Sequence, residues 1–84
     1  MMNNTARLQD WLAGHIGRHI GVDPETITFD KALADYGLDS VDAILMAGEL
    51  EQVFAMEIDP STFIQYETFD AMIAALAVTL DSKA

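Results

Sequence analysis

No cysteine occurs anywhere in the 84 residues. Disulfides and thiolate metal sites are therefore excluded. The chain also has no thiol of its own, so any thioester chemistry must come from an added group. Basic residues are nearly as scarce: four Lys and Arg stand against 14 Asp and Glu, a formal net charge of −10. Nucleic-acid phosphates demand Lys and Arg, and so do anionic membranes, so neither fits as a partner. No stretch approaches the roughly 18 uninterrupted apolar residues of a membrane span. The N-terminal MMNNTARLQDW lacks a basic region followed by an apolar one, so no signal peptide is expected and a cytoplasmic location is. Repeats and low-complexity segments are absent, and nothing reads as a β-strand.

What remains still describes a folded chain. Hydrophobic residues make up 51%, too much for a solvated acidic coil. The length suits one domain over residues 1–84, with a core burying about two-thirds of the unfolded surface. The charge steers basic partners toward it while repelling itself.

Leu8, Trp11, Leu12, Ile16 and Ile20 recur at helical spacing and predict a first helix over Thr5–Ile20. Gly14 and Gly17 weaken it; Gly21 is placed to end it. Residues 22–38 show no period. Pro24 and Gly37 punctuate them, and Val22, Ile27, Phe29, Leu33 and Leu38 read as single side chains pinning a long loop to the core. Loops beyond about 12–15 residues are uncommon and usually functional.

A second helix is expected over Ser40–Ala55. Asp39 suits the N-cap, and Asp42 stands at capping-box spacing. Asp59-Pro60 starts a short helix to about Tyr66. Thr68 caps a last helix in which Phe69, Met72, Ile73, Leu76 and Leu80 share a face. The fold class is all-α: a small four-helix bundle, three main helices and one short one, with the long loop between helices one and two.

The second helix is apolar on two sides. At about 100° per residue, Ala43, Met46, Ala47, Leu50, Val53 and Phe54 gather as a core face. Val41, Ile44 and Leu45 fall opposite, with Asp42, Glu49 and Glu51 flanking them and Gly48 among them. So small a domain has little to cover both sides, which makes the outward face a docking surface. Ser40 stands at its N-terminal edge, where free N–H groups and the helix dipole suit a phosphate. Position alone leaves open whether Ser40 is a helix residue or a functional one.

Catalytic readings find little footing. Ser40 is followed by Val41 and Asp42 and lacks the Gly-x-Ser-x-Gly elbow. His15 and His19 lie within or beside the apolar stripe of the first helix and read as packing or boundary residues. Asp35, Gly37 and Asp39 lack the full calcium-loop pattern. No metal site and no catalytic residue is assigned.

The run G-L-D-S-V, with the helix after it, resembles the attachment site of acyl carrier proteins. The likeness extends over nearly the whole chain. It takes in the first helix ending in I-G-V, the loop ending in L-A-D-Y-G-L-D-S, and the segments E-I-D-P-S and E-T-F-D-A-M-I-A-A-L. The resemblance implies that the Ser40 hydroxyl bears 4′-phosphopantetheine through a phosphodiester, the arm coming from coenzyme A. It implies that acyl groups ride on the arm's terminal thiol, and that Asp39, Val41 and Asp42 make first contacts with the enzymes that load and use it.

Ile44, Leu45, Glu49 and Glu51 extend that docking set. The implied partners are a phosphopantetheinyl transferase, an acyl-loading enzyme, a ketosynthase and other synthase enzymes with basic patches, meeting a monomeric, non-catalytic carrier. Bacterial fatty-acid carriers have a glutamate where Leu45 stands and a more acidic run around Glu51, where this chain has Glu51-Gln52-Val53. Gly-Leu-Asp-Ser is also similar to polyketide-synthase carriers. The expectation is thus a carrier of a polyketide or specialised fatty-acyl pathway, free-standing or else a domain of a larger synthase, the alternatives being a peptidyl carrier or an arm-less helical adaptor.

Overall fold

A computed structural model describes residues 3–82, and those residues form an all-helical bundle. The helices are α1 (Asn4–Ile20), α2 (Ser40–Phe54), α3 (Thr62–Gln65) and α4 (Phe69–Ser82). The Asn3 side chain opens α1 by accepting the Ala6 N–H. Gly21 closes it in the left-handed region at φ 75°, returning its N–H to the Gly17 carbonyl. That conformation is one glycine adopts without Cβ penalty.

Gly17 has its own reason to be glycine. A Cβ there would stand 2.8 Å from the Val22 carbonyl oxygen. The chain turns back so tightly after α1 that the helix needs a bare backbone at this point.

Leu8, Leu12 and Ile16 from α1, Met46 and Leu50 from α2, and Met72 and Ile73 from α4 fill the centre with almost no exposure. Phe63 of α3 closes one side.

The 22–38 segment is more ordered than its lack of period suggests. Two 3₁₀ turns, Pro24–Thr26 and Leu33–Tyr36, punctuate it. Asp23 caps the first by accepting the Glu25 N–H. Leu33 and Leu38 are buried as expected, and Ile27 and Phe29 pack against the core, but Val22 stays exposed. Tyr36 adds an anchor that the apolar pattern did not offer. Its ring is buried against Phe69 and its hydroxyl donates to the Thr28 carbonyl. Burial, then the nearby Asp30 charge, pushes its phenol above the ordinary value.

The loop also finishes α4. Phe69 N–H donates to the Lys31 carbonyl at 3.1 Å and Asp70 N–H to the Phe29 carbonyl at 2.8 Å. The Thr68 hydroxyl takes the Ala71 N–H at 3.3 Å.

Three further expectations need correction. Val53 is 52% exposed rather than core. It lies about 80° around the helix from Ala43, on the rim of the core face, while Phe54 in the same turn is buried. α2 ends at Phe54, with Ala55 in the left-handed region at φ 52°. The short helix spans Thr62–Gln65; Asp59 and Pro60 form the turn before it, where Asp59 accepts the Ser61 N–H at 2.9 Å.

Candidate functional site

The site is assembled at the junction of the loop and α2. Asp39 is the N-cap, in extended conformation, and its carboxylate accepts the Asp42 N–H at 3.0 Å. The Asp42 carboxylate in turn accepts the Asp39 N–H at 3.0 Å. This reciprocal box satisfies two orphan donors. It also holds the Asp39 carboxyl below its ordinary value of 3.8, chiefly through the Asp42 N–H.

Ser40, the first residue of the helix, takes no part in the box and is exposed. Capping is done by its neighbours, so its hydroxyl faces outward without structural employment. It sits at the positive end of a 15-residue helix, where negative charge is favoured.

Beside Ser40 lies a cleft of about 300 Å³, with Leu33, Leu38, Phe63, Ile64 and Tyr66 on its walls. Its lining is mostly apolar. An outward hydroxyl, a helix N-terminus and an apolar cleft together fit a chain joined through phosphate. A larger hollow, about 430 Å³, lies against the end of α1 with Ile20, Val22, Lys31 and Tyr36 on its walls. Ser40 does not line it, and it offers the hydroxyl nothing.

On the outward side of α2, Val41 is 60%, Ile44 57% and Leu45 59% exposed. The acids around them are not all free. Glu49 meets His15 Nδ1 at 3.3 Å, and His15 stacks on Trp11. Asp42 meets His19 Nε2 at 3.8 Å. The two histidines thus tie α1 to α2 along one edge. Glu51 bends away from the face, its carboxylate accepting the Ile58 N–H at 2.8 Å. Among the described residues, no group of three or more His, Asp or Glu could hold a metal ion, and no helix is long and apolar enough to cross a membrane.

Sequence reasoning missed Ile64, 65% exposed and on the wall of the cleft. Its signal was an aliphatic directly after Phe63 on a helix too short to bury both.

The phosphopantetheine attachment site family matches residues 10–76. The chain belongs to this family. Its residues fit the prosthetic group that defines carrier proteins. A phenolphthiocerol/phthiocerol polyketide synthase polypeptide of Mycobacterium tuberculosis is 33% identical over 76 residues, 90% of this chain. A non-reducing polyketide synthase of Byssochlamys spectabilis is 36% identical over 61 residues, 73% of the chain. The carrier spans about 4% and 3% of those two relatives.

Two solved structures share the fold. An acyl carrier protein from Anabaena with a variant phosphopantetheinylation-site sequence superposes with a TM-score of 0.81 at 25% identity, covering 92% of this chain and 88% of its own. A free-standing peptidyl carrier protein from Acinetobacter baumannii gives 0.71 at 32% identity, with 95% of each chain covered. Carriers of this family are generally non-catalytic: they are phosphopantetheinylated and work with synthase enzymes.

Proposed function

We propose that Ser40 carries the 4′-phosphopantetheine arm, and that the chain holds acyl intermediates for polyketide or specialised fatty-acyl assembly. One observation carries the assignment. Within the matched region, Ser40 is an exposed hydroxyl at a helix N-terminus whose capping bonds are made by Asp39 and Asp42 instead. The residue is therefore available without loosening the helix.

When bound, the arm supplies the thiol that the sequence lacks. The chain's part is to present it. The capping box fixes the start of α2, the helix dipole faces the phosphate, and the cleft bounded by Leu38, Phe63 and Ile64 gives an apolar surface beside it. Val41, Ile44 and Leu45, with Asp39, Asp42 and Glu49 around them, form the face that partner enzymes grip. Desolvated apolar anchors give such contacts their strength, and the acids speed encounter with basic patches. The whole chain acts as one carrier domain, and the polyketide synthase relatives favour an acyl cargo.

Incubation with coenzyme A, magnesium and a broad phosphopantetheinyl transferase should add one arm, read by intact mass and mapped to Ser40. Ser40→Ala should fold, because the capping box remains, and accept none. An arm mapped to Ser61 or Ser82 would overturn the assignment, and no gain in mass would favour an arm-less adaptor. A peptidyl carrier is the second reading, supported by the Acinetobacter structure. Arms loaded with aminoacyl rather than acyl groups by neighbouring enzymes would select it.

A further inference from the structure

Gly48 sits in the interior of α2, yet nothing in the chain requires a glycine there. A Cβ built on it meets no atom within 4 Å. Its φ is not positive, and the position is exposed. An interior helix glycine is less stable than alanine, and here no packing offsets the loss, in contrast to Gly17.

The position is at the centre of the outward face. At about 100° per residue, Val41, Ile44, Leu45 and Gln52 all fall within about 60° of it. Ile44 and Leu45, both well exposed, wall it toward the helix start. Helical side chains lean toward the N-terminus, so Glu51 and Gln52 are the ones that could cover the gap. Glu51 is drawn off by its bond to the Ile58 N–H at 2.8 Å. Gln52 lines a hollow beyond the end of α2, with Ala55 and Thr79. What remains is a notch one side chain deep, floored by backbone and walled by Ile44 and Leu45, with Glu49 turned aside to His15 Nδ1 at 3.3 Å.

We infer that this notch receives an apolar side chain of the phosphopantetheinyl transferase, presented among basic residues. The inference rests on the proposed reading of Ser40 and α2, and deepens it. Charge selects the occupant. A second copy of this chain would bring another −10 to the same rim, whereas a basic enzyme surface is attracted to it. The transferase is also the partner that must reach Ser40 whichever pathway follows. Interface energy concentrates in anchors near the centre. Here the central position on the carrier has no side chain, so the anchor comes from the enzyme.

The test compares Gly48→Ala and Gly48→Gln with Gly14→Ala, in α1, and with Leu45→Gln. Both Gly48 variants should raise Tm, by about 4–8 °C, because helix propensity improves by about 1 kcal/mol. Arm transfer from coenzyme A is then followed. Gly14→Ala should leave kcat/KM unchanged. Gly48→Ala should lower it a few-fold and Gly48→Gln by about tenfold or more, chiefly through KM. Transfer to Gly48→Gln at the parent rate, with Leu45→Gln slowed, would remove the notch and leave the docking face standing. Equal losses in the two Gly48 variants would point to helix stiffening and overturn the inference. An unmodified parent chain would overturn the reading beneath it.

Discussion

α1 and α2 have 17 and 15 residues, and they use their apolar side chains in opposite ways. α1 turns Leu8, Leu12 and Ile16 fully inward and exposes a large aliphatic at its end, Ile20. α2 buries Met46 and Leu50 just as completely, yet leaves Val41, Ile44 and Leu45 more than half exposed. A helix that serves only the core shows one apolar stripe. A helix apolar front and back, in a chain too short to cover both sides, has a second surface to serve. The glycines repeat the contrast: Gly17 of α1 is required by the Val22 carbonyl against it, and Gly48 of α2 by nothing inside the molecule.

Truncating the two faces of α2 separately tests the contrast most severely. Leu50→Ala should cost roughly 2–5 kcal/mol, because it opens a cavity in a closed core. Leu45→Gln should stay within about 0.5 kcal/mol while slowing arm transfer. Thermal melts and transfer kinetics on both variants decide it. If Leu45→Gln melts as early as Leu50→Ala, the outward face is core.

The glycine contrast gives a smaller effect. Gly17→Ala gains about 1 kcal/mol of helix propensity but forces a Cβ against backbone. Such overpacking costs about 1–3 kcal/mol, so Tm should fall or stay level. A Tm that climbs as it does for Gly48→Ala would show the turn at Val22 to be pliable.

The smallest effect concerns the capping box. Asp39 is held below 3.8 by the Asp42 N–H. A carboxyl depressed in the folded state contributes stability above its unfolded pKa and loses it as pH falls through the folded one. Stability from this box should therefore be intact at about pH 5 and fade only below 3.8. Side-chain NMR titration of Asp39 should show a midpoint under that value; one at or above it would mean the box is open in solution.

Much of this was legible in the residues. Regular apolar spacing placed the long helices, and Asp39 with Asp42 announced the start of α2, because both signals are local. The outward face followed from periodicity and chain length together. What stayed hidden depends on partners far along the chain. The 3₁₀ turns at Pro24–Thr26 and Leu33–Tyr36 are too short to carry a period. Tyr36 counts as half polar until Phe69 is known to lie against it. Glu51 read as a free surface acid, but Ile58 N–H, seven residues on, claims it. Val53 was placed in the core face and failed because, at about 80° from Ala43, it stands at that face's edge.

The bonds from Phe69 and Asp70 to the Lys31 and Phe29 carbonyls put the molecule's parts in a temporal order. Synthesis makes the loop before Ser40 well ahead of α4, yet the loop is fastened by the first turn of α4. A nascent chain that stops short of Phe69 has Ser40 but no latch for the segment leading to it. The segment leading to Ser40 is latched only after the last helix has emerged, a timing written into chain order rather than into any regulator.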